Sequence, residues 1–296
     1  MTDKNRTSAG EKAGVPKRIF APAHAEAKTA REAVATPQTE NPAYRLAFQD
    51  EEFLLREDLR PVRFQLELLK TQLTLDEANI ASTFVFYGSA RIPSPDRVPL
   101  VLDAARTPEQ KRIAEKLVAN SKYYEIARAL ARLASGVAAD EDGKRQFVVC
   151  SGGGPSIMEA ANRGAADVGA ETIGLNIVLP HEQAPNPYVT PRLSLRFHYF
   201  ALRKMHFLLH ARAVAVFPGG FGTFDEFFEL LTLIQTGKIA PLPILLFGRD
   251  FWETVVDWKA LADYGVIAPQ DLELFRFVES AEEAWTIVCD WYGVER

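Results

Sequence analysis

The chain has 296 residues, 47% of them hydrophobic, and 34 basic against 39 acidic side chains leave a net charge of −5. That balance offers no general attraction for nucleic acid or an anionic membrane, so any phosphate has to be bound locally. The two cysteines, Cys150 and Cys289, are far apart and form no C-x-x-C pair, which speaks against a disulfide framework or a structural zinc site and for a reducing, cytoplasmic setting. No apolar signal core and no apolar run of roughly 18 residues is present, so neither secretion nor a membrane span is expected.

Residues 1–40 are rich in Ala, Thr, Lys, Glu and Pro and poor in large apolar side chains, a composition expected to stay a disordered tail because it buries too little to offset its ordering entropy. Residues 41–81 turn amphipathic in "EEFLLREDLRPVRFQLELLKTQLTL", a helical lead-in with Pro61 in the first turn of its second helix. From 82 to 296 short apolar runs alternate with helical stretches. "STFVFYG", "QFVVCSGGG", "TIGLNIVLP", "AVAVFPGG", "LPILLFG" and "LFRFVES" read as strands, with helices around 108–137, 155–169, 201–210, 223–236, 250–263 and from about 280. Continuously apolar strands alternating with helices predict an α/β fold, a doubly wound, Rossmann-like parallel sheet with an N-terminal helical extension. Ligands of such sheets bind at the C-terminal strand ends, which here carry "YGSAR", "SGGGP" and "PGGFGT".

Glycines at strand-to-helix turns let backbone N–H groups approach a ligand, and the helix dipole favours an anion there. Neither loop completes G-x-G-x-x-G, since Gly220-Phe221-Gly222 is followed by Thr223, Phe224 and Asp225, and no G-x-x-x-x-G-K-[ST] occurs. A monophosphate fits better than NAD or ATP.

Thr223-Phe224-Asp225-Glu226 has the spacing of a capping box, with Thr223 as helix cap and Glu226 reaching back to its backbone N–H. On a helical wheel Phe224, Phe227, Phe228, Leu231, Ile234 and Gln235 share one side, and Asp225, Glu229 and Thr232 lie opposite. Glu226 falls between Leu230 and Leu233, poorly solvated. The helix N-terminus would favour its ionised form, which suits a base or cation stabiliser better than a general acid.

Among other candidates, Arg203 and Lys204 sit side by side before the "VAVFPGG" strand, where on the residues alone the better reading of both is as surface charges. His206 and His210 have i, i+4 spacing but no glutamate between them in the manner of H-E-x-x-H, so no metal is expected. Cys150 reads as a small buried residue. Glu182, in "LPHEQAPNPYVTP", is a weak candidate for substrate contact.

"PGGFGTFDE" resembles the P-G-G-x-G-T-x-x-E signature of the LOG (Lonely Guy) family, with the "RK" pair upstream at the family's spacing. "GSAR", "GGGP-x-IMEAANRGA", "GLNI-x-LPHEQ" and "LTLIQTGKI" extend the likeness to the long bacterial members over about 41–296. The resemblance implies a phosphoribohydrolase that cuts the N-glycosidic bond of a nucleoside 5′-monophosphate, AMP or a cytokinin ribotide, without cofactor. The alternative is a nucleotide-binding or sensing module of the same fold. On the resemblance, Arg203 and Glu226 are the catalytic pair and Gly219, Gly220, Gly222 and Thr223 the phosphate loop. Lys204 and Thr232 contact substrate, Gly88, Ser89, Gly153 and Gly154 line the site, and Met158 is a weaker candidate. It further implies a homodimer or higher oligomer with the site near a subunit interface, where Thr232 would serve a neighbouring subunit. The label "lysine decarboxylase" carried by many relatives does not suit the sequence, because Lys204 beside an arginine lacks a recognisable pyridoxal-phosphate context. Ser156 replaces the glycine common in "GGGPG", with a modest effect expected.

Overall fold

The computed structural model describes residues 20–180 and 184–295. It forms two compact units that meet in sequence between Arg63 and Phe64. In the first lie α1 (Ala23–Arg31) and α2 (Glu51–Leu54), with short 3-10 turns between and after them. The expected structureless tail thus contains a helix, although α1 buries no residue and has no side-chain cap. The part of the tail before residue 20 lies outside the described residues. Helix α3 (Arg60–Glu77) begins in the first unit and continues into the second.

The second unit is built on seven strands: β1 (Thr83–Tyr87), β2 (Val148–Ser151), β3 (Ile173–Ile177), β4 (Ser194–Phe197), β5 (Ala211–Val216), β6 (Ile244–Phe247) and β7 (Arg276–Val278). All pair in parallel in the order β4-β3-β2-β1-β5-β6-β7. The helices between them are α4 (Val98–Ala104), α5 (Pro108–Ala119), α6 (Lys122–Ala134), α7 (Ile157–Asp167), α8 (Phe200–Leu209), α9 (Phe221–Gln235), α10 (Arg249–Val255), α11 (Trp258–Asp263) and α12 (Ala281–Tyr292).

The central strands are buried throughout, because helices cover both faces. Side chains alternate between those faces with period two. Phe84 and Phe86 join the core under α6, α7 and α12. Val85 and Tyr87 join the core under α3, α8 and α9, with Phe207, Phe227 and Leu230. The Rossmann-like doubly wound architecture expected from the sequence is therefore present, with the strand order reversing between β1 and β5.

Three elements differ from expectation. Strand β4 was not anticipated; it is an edge strand whose alternating burial leaves Arg196 exposed, so its apolar signal is short. The single helix expected over 108–137 is two, with Asn120 ending α5 before α6 begins. The helix expected over 250–263 is also interrupted, because Asp257 caps a new helix by accepting a bond from the Ala260 N–H.

Candidate functional site

The strand order reverses between β1 and β5, and the C-terminal ends of the strands at such a switch point are where sheets of this kind bind ligands. Hydrogen bonds tie the loops there together: the Ser89 N–H donates to the Pro218 carbonyl at 3.1 Å, and the Ile157 N–H at the start of α7 donates to the Ser89 carbonyl at 3.3 Å. Gly88, Ser89 and the two glycine-rich turns are thereby brought together.

Helix α9 starts earlier than its sequence suggests. Its cap position is Gly220, with no side-chain cap, and the Phe224 N–H donates to the Gly220 carbonyl at 3.1 Å. Thr223 is therefore a buried residue inside the first turn. The capping box between Thr223 and Glu226 does not form. The N–H groups of Phe221, Gly222 and Thr223 precede the first intrahelical bond, and a Cβ built on Gly220 or Gly222 would meet nothing within 4 Å. Gly219 is different, because a Cβ there would stand 2.1 Å from Thr223 Oγ1. The turn is thus open at its tip and tight at its base, a geometry that suits an anion at the positive end of a 15-residue helix.

Glu226 turns to Arg203 instead of to its own backbone. Arg203 Nη1 donates to Glu226 Oε1 at 3.0 Å, with the two side chains only 10% and 13% exposed. Arg203 Nε donates at 2.6 Å to the carbonyl of Leu175 in the middle of β3, and its guanidinium lies 4.9 Å from the Phe207 ring centre. The cation is fixed from three sides. Burial pushes the Glu226 carboxyl up from 4.5 to about 7, against the opposing pull of Arg203. Burial therefore works against the ionised form that the helix N-terminus is expected to favour, and the net direction for this carboxyl is upward.

Next to this pair lies a cavity of about 390 Å³ lined by Arg203, the loop 152–155, Met158, Asn176, Ile177 and Leu179, with Ala90, Arg91 and Ala184 around it. Neither Glu226 nor the 219–223 turn lines it; Arg203 connects the two parts. Gly153 has φ +72°, a conformation natural to glycine, and a Cβ there would stand 2.3 Å from Asn176 Oδ1. The loop is held from below by a buried polar chain. Ser151 Oγ accepts from the Gly153 N–H at 3.1 Å and bonds Asn162 Oδ1 at 2.7 Å, and Asn186 Nδ2 donates to the Gly154 carbonyl at 2.9 Å. Ser156 has φ +67°, with Oγ donating to the Ile92 carbonyl at 2.5 Å. The left-handed backbone explains why glycine suits this position, and the expected modest effect has a concrete source.

Lys204 stands apart from the cavity. Its Nζ bonds Asp225 at 2.9 Å and Glu229 at 3.2 Å. It lines a separate groove of about 760 Å³ with Met205, Leu208, Leu233 and Trp291. Burial lowers the pKa of its ammonium, but the two carboxylates outweigh that and hold it above its ordinary value. A pyridoxal-phosphate site wants a lysine that can shed its proton beside the phosphate loop. Lys204 does not fit, and among the described residues no lysine lines the cavity. Thr232 is exposed, its hydroxyl donating to the Phe228 carbonyl at 2.8 Å within its own helix, so it touches neither cavity nor turn. Met158 lines the cavity along the glycine loop. Glu182 lies outside the described residues.

Cys150 is buried with its thiol pushed up in pKa by desolvation, consistent with a small packed residue. His206 is buried and pushed down to about 4, first by desolvation, while His210 Nε2 is 3.2 Å from Gln72 Oε1. Of the cavity's lining, the sequence reading names Gly153, Gly154, Met158 and Arg203 and omits the rest, of which Gly152 and Asn176 bear most on the geometry. Gly152 lets the Arg203 guanidinium pass, since a Cβ there would stand 2.5 Å from Nη2. Asn176 is a polar residue inside the apolar run "GLNI", which is the signal that marks it.

Fold and site together define a Rossmann-like α/β protein with an anion-ready glycine turn and a buried arginine–glutamate pair. Residues 158–288, somewhat under half of the chain, match the model of the family described as "Possible lysine decarboxylase". Similar solved structures include TM1055, at 19% identity and a TM-score of 0.40, covering 71% of this chain and 99% of that one. Another is the molybdenum cofactor carrier protein of Chlamydomonas reinhardtii, at 13% identity and a TM-score of 0.41, covering 72% and 99%. No curated protein matches the chain at a significant level. No helix among the described residues is long and apolar enough to cross a membrane.

Proposed function

We propose that this chain hydrolyses the N-glycosidic bond of a nucleoside 5′-monophosphate, releasing the free base and ribose 5-phosphate. The observation that carries the reading is the buried Arg203–Glu226 pair, set between an open helix N-terminus and a base-sized cavity. The phosphate binds the N–H groups at the start of α9 and supplies binding energy remote from the reacting bond. The ribose then lies over Glu226. As C1′ gains positive charge on the way to an oxocarbenium-like transition state, the Glu226 carboxylate stabilises it or orients the attacking water. Arg203, pinned by the Leu175 carbonyl, keeps that carboxylate in position. Asp225 and Glu229, the other acids of α9, are both engaged by Lys204.

Because the working form is ionised, activity should rise with pH through about 7 and then level off. The reaction needs no metal or organic cofactor in this reading, and the substrate is a free nucleotide, not nucleic acid. The apolar groove beside Lys204 suits a homo-oligomer contact near the site, which the LOG likeness also implies. The test is incubation with AMP, other nucleoside monophosphates and a cytokinin ribotide, followed by chromatography of the free bases, with Glu226→Gln as control. Base release by the native chain and its loss by at least about 100-fold in a folded Glu226→Gln protein support the proposal. Calorimetric binding of AMP without ribose 5-phosphate formation would instead indicate a sensing module.

A further inference from the structure

Asn176, near the end of β3, is only 8% exposed and lines the cavity. Its amide nitrogen donates to the Gly174 carbonyl at 3.2 Å, to Ser194 Oγ at 3.2 Å and to the Leu195 carbonyl at 3.1 Å. Turning the amide over would set Oδ1 against two carbonyl oxygens, so the orientation is fixed by its neighbours. Oδ1 is left on the Gly153 side, facing the glycine loop at the spot a Cβ on Gly153 would fill. No donor among the described residues engages it: the Gly153 N–H is taken by Ser151 Oγ, and Asn186 Nδ2 by the Gly154 carbonyl and Asn162. The result is a nearly buried, rigid acceptor without a partner among the described residues, beside a cavity whose other lining includes Arg91, Arg203, Met158, Ile177 and Leu179.

The sheet sets how far this acceptor lies from the phosphate turn. From β5 through β1 and β2 to β3 is three strand spacings, about 14 Å. An extended nucleoside monophosphate with its phosphate at the start of α9 and its sugar over Glu226 brings its base to the Asn176 end.

We propose that Asn176 determines base specificity by accepting a hydrogen bond from the exocyclic amino group of a 6-aminopurine. A 6-oxopurine would turn a carbonyl oxygen toward Oδ1 and leave both acceptors unpaired. This rests on the phosphoribohydrolase reading for the placement of the nucleotide, and it adds the residue that would read the base.

The experiment compares AMP, N6-methyl-AMP, N6,N6-dimethyl-AMP and IMP as substrates of the native chain, with calorimetric Kd values for the same four. AMP and N6-methyl-AMP each keep an N–H donor, and they should be favoured over the dimethyl compound and IMP by about 10- to 100-fold in kcat/KM. Asn176→Ala should collapse that ratio. If the variant fails to fold, as judged by its circular dichroism melt, Asn176→Ser carries the same comparison, and an unchanged AMP-to-IMP ratio in either folded variant overturns the role of Asn176. Equal turnover of all four nucleotides would overturn the inference while leaving the hydrolase reading intact. Absence of turnover with the same order of Kd values would overturn the hydrolase reading and support Asn176 as the base reader. Absence of any selectivity in binding as well would overturn both.

Discussion

Replacing Glu226 by glutamine should make the protein more stable relative to wild type as pH rises. In the native state burial raises the carboxyl from 4.5 to about 7, with Arg203 pulling the other way; in the unfolded chain it titrates at its ordinary value. Below pH 4.5 both states hold the proton and the group contributes no pH dependence. Between 4.5 and 7 the unfolded chain sheds a proton that the native protein keeps, so wild-type stability falls as pH rises. Above 7 the native carboxylate is ionised and the loss is complete. At 1.36 kcal/mol per pH unit the shift amounts to about 3 kcal/mol. Glutamine does not titrate, and pH-independent costs of the substitution, such as the altered contact with Arg203, cancel in the trend. The difference in unfolding free energy, Glu226→Gln minus wild type, should therefore climb by about 3 kcal/mol from pH 4.5 to pH 8. Urea titrations followed by circular dichroism at four or five pH values measure it, provided the slope with urea is the same for both proteins. A flat difference would refute the reasoning. A falling one would show that Arg203 outweighs burial and holds the carboxylate ionised.

The turns give three further predictions. Gly153→Ala meets both a φ of +72° and the Asn176 oxygen 2.3 Å from its new methyl group, so thermal unfolding should show a loss of about 2 kcal/mol or more. Gly220→Ala, whose Cβ has nothing within 4 Å, should cost less than about 1 kcal/mol in the same assay. At position 156, glycine relieves the positive φ but gives up the bond to Ile92, whereas alanine gives up the bond and keeps the strain. Ser156→Ala should therefore be less stable than Ser156→Gly by about 1–2 kcal/mol in chemical denaturation.

The architecture was legible because buried parallel strands announce themselves as unbroken apolar runs. The helix wheel also placed Glu226 correctly: it is far more buried than Asp225 or Glu229, whose side chains are 57% and 37% exposed. The start of α9 was misread because Phe221 and Gly222 look like loop, glycine being a poor helix former, while Thr223 and Glu226 spell a cap by spacing alone. Tertiary contact decided otherwise: a glutamate offered an arginine from α8 takes it over its own N–H. The position of that arginine is set by the Leu175 carbonyl, a backbone group that no side-chain pattern reveals. Strand β4 was missed because one face of an edge strand is left polar. Lys204 shows the opposite failing, since adjacency to Arg203 in sequence put it on the candidate list while helical geometry turns it about 100° away, toward Asp225 and Glu229.

The central place of β1 also bears on how the chain is made. One long edge of β1 pairs with β2, but the other waits for β5, whose first residue follows Tyr87 by more than a hundred positions. At roughly 5–20 residues per second of synthesis, Phe84, Val85 and Phe86 spend on the order of ten seconds on the ribosome with one backbone edge unpaired. The switch point at the β1–β5 junction cannot exist before that edge closes. The ribosome therefore completes this seam late, and a nascent chain stalled before Ala211 presents a strand ready to pair with the wrong partner.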